Sequence, residues 1–370
     1  MYKKLLIFIP HIGGGGVEKN FFIITNFLAK KLNGVTVITV NKEFKNKINK
    51  KIKIISPKNN KWQNSSIYVK YIISIFLLIK TLISNKDYLI FSFQANWYAI
   101  IVTKFFGLKI ISRSNTAPQG WSNNIVKKTL YKFIINYADK IIVNSIEFKE
   151  SLKKYFNVNS TCIYNPLNKS SILKLGNAKN KFSFFNQKNI LKVINIGRFT
   201  DQKNQLLLLK SIKYLNNRIP IKLLIAGRGT NYKHLKNYID ENKLNKNVLL
   251  LNFLKNPYPY LKKADVFVLS SNYEGLPNVL LEAQCFKKII ISTKCPTGPQ
   301  EILLNGKAGI FFKMNDYKDL SKKIIYVYKN KKKLSNKVKI GYSNLNRFDE
   351  NKNLNMYYQI ILKYLKNEKN

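Results

Sequence analysis

Residues 265–309 have the sequence DVFVLSSNYEGLPNVLLEAQCFKKIIISTKCPTGPQEILLNGKAG, and the alternation of apolar runs and loop-forming residues in it predicts an α/β fold. Its first part, 265–271, is rich in Val and Phe, which is typical of a buried strand. Gly275 gives the following loop its backbone freedom. Pro277 suits the first turn of a helix, because its missing N–H would have no partner there, and we predict a short helix over 278–286.

Two carboxylates bracket this predicted turn. Glu274 lies in the loop and Glu282 lies about one turn into the helix. A helix N-terminus offers free N–H groups and a partial positive charge, so it favours an anion. Carboxylates on either side of an anion would accept hydrogen bonds from hydroxyl groups, and this arrangement suits a nucleotide diphosphate-sugar. The alternative is a solvated loop residue and a helix residue that complements its dipole.

The run EGLPNVLLEA after a buried strand resembles the signature of glycosyltransferase family 4, which comprises retaining enzymes of the GT-B fold. The resemblance implies that Glu274 contacts hydroxyls of the donor sugar and that Glu282 contacts the ribose. It also implies that the backbone of the turn meets the diphosphate, which adds four donor-binding residues: Gly275, Leu276, Pro277 and Asn278.

A second motif follows the apolar strand 190–197, where the sequence continues as GRFTDQKNQ. It places Arg198 at the end of the strand and Lys203 at the start of a predicted helix over 204–215. Two cations near a helix N-terminus can hold a diphosphate, although chance is the alternative in a chain with 65 basic residues. The pattern resembles a second family signature. It implies that Gly197 lies in the donor site and that Arg198 and Lys203, together with Glu274, are the catalytic residues.

The N-terminus has a strand (KLLIFIP), a loop (HIGGGG) and a predicted helix from Val17. This order can cradle a phosphate, although tight turns also use glycines and the spacing is not that of a dinucleotide-binding fingerprint. GGGGVEKN resembles the family's glycine loop, with Val17 in place of the usual Ala. The resemblance implies that Gly15 and Gly16 face the donor phosphates.

Polar residues follow two further predicted strands, 88–93 and 108–112. The carboxyl ends of parallel strands form the ligand-binding edge of a sheet. We therefore take Asn96, Arg113 and Asn115 as candidates for the acceptor side, with helix capping and loop bonding as the alternative role. Many relatives have a histidine in the second cluster, and it is absent from SRSNT.

The formal net charge of +47 predicts attraction to anionic surfaces, either membrane or nucleic acid. The apolar segment 66–84 is interpreted as a core helix, with a helix in the membrane interface as the alternative. Its longest apolar run, 71–79, is far shorter than the ~20 residues that span a bilayer. Three cysteines without ligand or framework spacing fit a reducing cytoplasm.

Taken together, the sequence predicts an α/β protein of the GT-B class, with two doubly wound Rossmann-like domains facing across a cleft. The expected boundaries are an acceptor-binding domain over 1–170, a linker over 171–189, a nucleotide-sugar-binding domain over 190–345, and a helix over 346–370 that crosses back to the first domain.

The expected function is a retaining transferase that moves a hexose or N-acetylhexosamine from a nucleotide diphosphate-sugar, a UDP-sugar above others, to a lipid-linked saccharide. The donor is a substrate, and no cofactor or metal is expected, because the sequence has no Asp-x-Asp triplet. The expected location is cytoplasmic, at the inner face of an anionic membrane, with no nucleic acid as partner. The alternatives are a basic nucleic-acid-binding protein, which would need a recognition motif that is not seen, or another GT-B enzyme such as a sugar-nucleotide epimerase.

Overall fold

The structure, a computed structural model, describes residues 4–13, 15–115, 125–179 and 182–366, without the side chains of 125–128. The described strands are β1 (Lys4–Phe8), β2 (Val35–Ile38), β3 (Lys53–Ile55), β4 (Tyr88–Ser92), β5 (Ile110–Ser114), β6 (Lys140–Val143), β7 (Thr161–Cys162), β8 (Leu191–Ile196), β9 (Ile221–Ala226), β10 (Val248–Leu251), β11 (Val266–Leu269), β12 (Ile289–Thr293) and β13 (Ile310–Phe312). The described helices are α1 (Gly16–Lys31), α2 (Ile67–Ser84), α3 (Asn96–Phe105), α4 (Ile125–Ile135), α5 (Ile146–Phe156), α6 (Lys169–Leu175), α7 (Gln205–Leu215), α8 (Tyr232–Glu241), α9 (Tyr258–Lys263), α10 (Asn278–Cys285), α11 (Pro299–Ile302), α12 (Tyr317–Asn330), α13 (Ser335–Asn344) and α14 (Glu350–Lys366).

The chain divides into two compact units. Unit 1 contains residues 1–166 and 350–370, and unit 2 contains residues 167–349. The predicted linker over 171–189 differs from this division, because α6 packs against α9 and α10 inside unit 2. Phe185, within the same stretch, is buried. The last helix, α14, lies in unit 1, where Tyr357 and Ile361 join the core.

Unit 1 is built on a parallel sheet with the strand order β3-β2-β1-β4-β5-β6-β7. Its two faces are covered by different helices, because successive side chains of a strand point to opposite sides. Leu5 and Ile7 of β1 face α1 and α14, whereas Leu6 and Phe8 face α2, α3 and α4. The winding direction reverses between β1 and β4, which pair in register from Lys4↔Tyr88 onward.

Unit 2 is built on a second parallel sheet, with the order β10-β9-β8-β11-β12-β13. Here the winding reverses between β8 and β11, which pair through Val193↔Val266. Runs of Ile and Leu such as 223–225 and 289–291 are fully or nearly fully buried, as expected for strands covered on both faces. The prediction of two doubly wound α/β units is therefore confirmed.

The interpretation of 66–84 as a core helix is correct for only one face of α2. Its buried positions are Lys70, Ser74, Leu78 and Leu82, and its other face exposes large apolar side chains. By length and composition α2 could cross a bilayer, and it alone meets that test within the described part of the chain. In this fold it lies against β2 and α3 instead.

Candidate functional site

The predicted donor residues of unit 2 lie at the point where its sheet changes winding direction. In sheets of this type, ligands bind in the crevice formed at such a point. Two loops meet there, one after β8 and one after β11. They are joined by hydrogen bonds from the Ser270 hydroxyl to the Lys203 carbonyl (2.8 Å) and from the Gln202 amide to the Tyr273 carbonyl (3.0 Å).

The contact at the centre of this crevice is an ion pair between Lys203 and Glu274. The Lys203 Nζ and Glu274 Oε1 atoms are 2.5 Å apart, and the side chains are 16% and 6% exposed. The Ser271 hydroxyl donates to the same carboxylate oxygen at 2.6 Å. The two motifs predicted separately are thus brought into direct contact, and Lys203 neutralises Glu274 in this structure.

Arg198 is exposed and lies on the same loop as Lys203. Its Nη2 donates to Gln202 Oε1 at 3.2 Å, and its carbonyl accepts from the Gln205 amide at 2.9 Å. Gly197 precedes Arg198, and the backbone of Gly227 packs closely on it. A Cβ added to Gly227 would lie 1.8 Å from the carbonyl oxygen of Gly197. The turn after β9 therefore needs a glycine at position 227 to approach the tip of β8, whereas a Cβ on Gly197 would meet its nearest atoms at 3.7 Å.

The turn before α10 is supported from behind by the loop after β12. Gly298 has φ +70°, and a Cβ at this position would lie 1.7 Å from the Gly275 carbonyl oxygen. The Thr297 hydroxyl donates to the Glu274 carbonyl at 2.6 Å. Leu276 is buried, and Pro277 occupies the N-cap position, one residue before the predicted first turn, so its side chain gives α10 no hydrogen-bonded cap.

Glu282 is 6% exposed and is held by a residue that sequence analysis did not select. The Tyr258 hydroxyl, at the start of α9, donates to Glu282 Oε1 at 3.2 Å. This contact joins the predicted ribose-binding acid to the loop 253–258. The exposed Arg228, in the turn after β9, stacks on Phe253 with its guanidinium carbon 4.9 Å from the ring centre. Neither contact has a local sequence signal, because the two residues are 24 positions apart in the first contact and 25 in the second.

Cys295 is a possible nucleophile near Glu274, and its environment excludes that role. Burial, followed by the charge of Glu274, raises the pKa of this thiol to about 12. Reactivity of cysteine requires the thiolate. The thiol therefore stays protonated and acts as an apolar neighbour of the carboxylate.

The predicted glycine loop of unit 1 holds a carboxylate from its own helix. Glu18 Oε2 accepts from the Gly15 N–H at 2.8 Å, and Glu18 Oε1 accepts from the Gly13 N–H at 3.4 Å. Gln94, after β4, donates to Glu18 Oε1 at 3.3 Å. Gly16 begins α1. A phosphate at this loop would compete with Glu18, a residue that the glycine-x-x-Glu spacing of a capping box could have indicated.

A cavity of about 380 Å³ opens beside this loop, within unit 1. Its wall includes three aromatic side chains from three neighbouring helices: Tyr71, Trp97 and Tyr131. The predicted acceptor-side residues Asn96 and Asn115 also line it. Their amide groups donate to the carbonyls of residues 113 and 93 at 2.9 Å and 3.0 Å. Burial raises the pKa of Tyr71, and the neighbouring Tyr98 and Glu18 act in the same direction.

Arg113 is placed differently from the other acceptor-side candidates, because its side chain is fully buried. Its guanidinium donates to the Tyr357 hydroxyl and to Asn165 Oδ1, both at 2.8 Å, and also to Asn115. These bonds connect β5 with α14 inside unit 1. The geometry gives Arg113 the loop-bonding role named above as the alternative, and a contact with an acceptor stays a prediction.

The described residues include no group of three or more His, Cys, Asp or Glu side chains placed to hold a metal ion. A larger cavity of about 600 Å³ lies elsewhere in unit 2, between Asp265, Lys288, Lys331 and Tyr342. It is at the opposite end of β11 from Glu274. The predicted donor residues do not line it.

Comparison with known proteins defines the class to which this fold belongs. The structure of HepE from Anabaena, solved in complex with UDP-glucose, superposes with a TM-score of 0.78 at 15% identity, covering 97% of this chain and 99% of that one. The fold is therefore the GT-B fold of glycosyltransferases. Residues 177–343 match the family model described as "Glycosyl transferases group 1". The matched segment lies within unit 2 and contains all the predicted catalytic residues.

Two relatives in sequence are also glycosyltransferases. An uncharacterized glycosyltransferase of Methanocaldococcus jannaschii is 36% identical over 219 residues, which is 55% of this chain and 53% of that protein. The chain therefore matches only about half the length of that relative. The N-acetylgalactosamine-N,N'-diacetylbacillosaminyl-diphospho-undecaprenol 4-alpha-N-acetylgalactosaminyltransferase of Campylobacter jejuni is 27% identical over 333 residues, covering 85% of this chain and 87% of that one.

Proposed function

We propose that the chain is a retaining glycosyltransferase of family 4. It transfers a hexose or N-acetylhexosamine from a UDP-sugar to a lipid-linked saccharide, in the assembly of a bacterial surface polysaccharide or glycan. The observation that carries this proposal is the buried ion pair between Lys203 and Glu274, with Arg198 on the same loop as Lys203, in the segment that matches the glycosyltransferase group 1 model. A buried carboxylate beside two cations suits a sugar linked to a diphosphate.

Each of these groups has a distinct part in the proposed reaction. The bond between the sugar carbon and the diphosphate oxygen breaks, and the electron pair leaves with the diphosphate. A new bond forms from the acceptor hydroxyl oxygen to that carbon, and the hydroxyl proton is released. Arg198, Lys203 and the N-terminus of α10 stabilise the negative charge of the leaving group. Glu274 holds hydroxyls of the sugar, and Glu282 holds the ribose.

The reaction is proposed to need no metal ion. Two cationic side chains and a helix N-terminus supply the positive charge that a divalent ion supplies in other transferases. Transfer that continues at full rate in the presence of a chelator would support a metal-independent reaction. Transfer that stops on chelation and returns with added Mg²⁺ or Mn²⁺ would contradict it.

The acceptor is proposed to bind in the aromatic cavity of unit 1. Tyr71, Trp97 and Tyr131 offer faces on which sugar rings can stack, and Asn96 and Asn115 offer amides to their hydroxyls. The printed name of the Campylobacter jejuni relative includes a diphospho-undecaprenol saccharide, which supports an acceptor of the lipid-linked class. Such an acceptor would place the protein at the inner face of the cytoplasmic membrane.

The donor site is tested first by calorimetric titration of UDP, GDP and ADP into the wild type and Glu282→Ala. We expect one diphosphate to bind, and we expect the variant to raise its Kd by about ten- to a hundredfold, as for a lost hydrogen bond to a charged group. Glu241→Ala, which removes an exposed acid of α8, serves as the control and should bind like the wild type. Absence of binding by all three nucleotides would overturn the donor assignment.

A transfer assay tests the reaction class. The product of incubation with a UDP-sugar and a lipid-linked saccharide is examined by NMR for the configuration of the new glycosidic bond. The same configuration as in the donor is expected of a retaining enzyme. An inverted product would contradict the proposed mechanism, and sugar conversion without any acceptor would favour an epimerase.

A further inference from the structure

Helix α2 of unit 1 has an unusual distribution of polar and apolar side chains. Lys70 and Ser74 face inward and are buried, whereas Tyr68, Ile72 and Phe76 are 75%, 67% and 65% exposed. Ile83, farther along the same face, is 68% exposed. Spacings of four, four and seven residues place these side chains on one stripe of the helix. Folding of unit 1 alone therefore leaves the more apolar stripe of α2 in contact with solvent.

The two neighbouring helices extend this stripe into a surface. Leu78 of α2, Ile100 of α3 and Ile134 of α4 meet in one core cluster on the same face of the sheet. The outer sides of α3 and α4 expose further large apolar residues: Ile101, Phe105, Leu130, Phe133 and, just after α4, Tyr137. We call these residues, together with the exposed stripe of α2, the outer surface of α2–α4. Contiguous apolar surfaces of this kind mark sites of interaction.

The charges around this surface indicate which partner it fits. Apart from the buried Lys70, the sequence from 67 to 135 contains seven lysines and a single acid, Asp87, and one of these lysines, Lys104, pairs with Asp139. Lys80 is exposed and lies one helical turn from Phe76, and Lys132 is exposed directly before Phe133. Aromatic and aliphatic side chains bordered by lysines are typical of helices that lie in a membrane interface and attract anionic lipids. A second copy of this chain would present the same positive charge and be repelled.

We infer that the outer surface of α2–α4 docks on an anionic phospholipid bilayer, with the helices lying in the interface. Leu78 and Leu82 are fully buried in the core of unit 1. Helix α2 therefore contributes its exposed stripe to the bilayer without leaving the sheet. Phe76, Phe105 and Phe133 enter the boundary of the acyl chains, and the lysines contact lipid phosphates.

Docking would also position the cavity described above, in a way that rests on the proposed function. The three aromatic residues of the cavity, Tyr71, Trp97 and Tyr131, come from the same three helices. A protein held by the outer surface of α2–α4 would therefore present this cavity close to the lipid headgroups. The saccharide of a lipid-linked acceptor lies at the same level.

Vesicle flotation without any sugar donor tests the inference separately from the transfer reaction. The wild type should float with vesicles of phosphatidylglycerol and phosphatidylcholine and float much less with phosphatidylcholine alone. Phe76→Ser combined with Phe105→Ser should lower the partition coefficient on anionic vesicles by about tenfold or more. Tyr326→Ser, which removes an exposed aromatic residue of unit 2, is the matched control and should bind like the wild type.

Hydrogen–deuterium exchange of the wild type provides a second readout that needs no variant. Anionic vesicles should slow exchange in α2, α3 and α4 more than in any helix of unit 2. Flotation that is equal on both vesicle types, or unchanged in the double variant, would overturn the inference. So would a wild-type dimer that the double variant converts to monomer, because the surface would then be an interface between copies. A wild type that floats with anionic vesicles as expected but transfers no sugar would contradict the proposed function and leave the docking inference intact.

Discussion

The buried ion pair between Lys203 and Glu274 leads to a quantitative prediction about the stability of unit 2. The change is a double-mutant cycle with Lys203→Met, Glu274→Gln and the combined variant. Both substitutions keep the approximate size of the side chain and remove its charge. Because the charged atoms are 2.5 Å apart and the side chains are only 16% and 6% exposed, each charge depends on its partner for solvation.

Removing one partner leaves the other charge buried without compensation. Such changes cost about 3–5 kcal/mol for fully buried pairs. Lys203 retains some contact with water, so we expect about 2–4 kcal/mol for each single variant. The combined variant has no stranded charge, and the amide oxygen introduced by Glu274→Gln could still accept from Ser271. The combined variant should therefore lose less free energy of unfolding than the two single variants lose together, and we expect a coupling energy of about 2 kcal/mol.

Urea unfolding followed by far-UV circular dichroism and by tryptophan fluorescence provides the measurement. All three tryptophans, Trp62, Trp97 and Trp121, belong to unit 1. If the substitutions shift the urea midpoint seen by circular dichroism and leave the midpoint seen by fluorescence unchanged, the loss of stability is in unit 2. The exposed pair Lys236–Asp240, with both side chains 48% exposed, serves as the control cycle and should show much weaker coupling. Equal coupling in the two cycles would refute the reasoning.

Three further predictions concern single side chains. Gly298→Ala should destabilise unit 2 by roughly 2 kcal/mol or more, because its Cβ would meet the Gly275 carbonyl, and it should weaken UDP binding in calorimetry. Tyr357→Phe should cost about 1.5–3 kcal/mol in fluorescence-detected unfolding, because Arg113 loses a buried acceptor. Burial lowers the pKa of Lys288 to about 8 from its ordinary 10.5, so between these values the unfolded chain binds more protons and stability rises with pH. The wild type should gain roughly 2 kcal/mol over Lys288→Met between about pH 8 and about pH 9.5 in urea unfolding.

Each of these predictions has a control or an outcome that contradicts it. Gly107 has φ +69°, nearly that of Gly298, and an added Cβ would meet nothing within 4 Å. If Gly107→Ala lowers stability as much as Gly298→Ala, the collision of the Gly298→Ala side chain with the Gly275 carbonyl is not the cause of the loss. Tyr358→Phe, one residue along α14 from the buried hydroxyl, should leave stability nearly unchanged. If it costs as much stability as Tyr357→Phe, the lost hydrogen bond from Arg113 is not the cause. Parallel pH profiles of the wild type and Lys288→Met would show that this lysine does not titrate as stated.

The alternation of buried strands and loop-forming residues was sufficient to predict both doubly wound units. Apolar runs such as 190–197 and 265–271 correspond to β8 and β11 within one or two residues. The predicted linker failed for a physical reason. Its polar, lysine-rich composition favours a solvated segment, but Asn168 caps α6 by accepting from the Ser171 N–H at 2.8 Å, and Ile172 is buried. Local composition did not show that a few apolar anchors dock such a segment.

Helix α2 shows a second limit of sequence reasoning. Its apolar composition predicts burial, but the structure buries Lys70, whose Nζ lies 3.4 Å from His11 Nδ1. Burial lowers the pKa of this lysine, and the charge of Glu43 acts in the opposite direction. These partners lie 59 and 27 positions away along the chain. The face of α2 that turns inward is set by such distant contacts, and no periodicity within the helix could show it.

The donor site combines what the sequence could predict with what it could not. The motifs identify Arg198, Lys203 and Glu274 one by one, and family resemblance gives the two cations to the phosphates and the acid to the sugar. The structure shows that Lys203 and Glu274, 71 positions apart, already neutralise each other. A diphosphate at this crevice would therefore share Lys203 with Glu274. The net positive charge that it meets would come from Arg198 and the N-terminus of α10, because Glu282 adds a further negative charge. If the proposed donor binds here, Glu274 would keep Lys203 in place before it arrives, so the ion pair would preorganise the site and limit how tightly the phosphates are held.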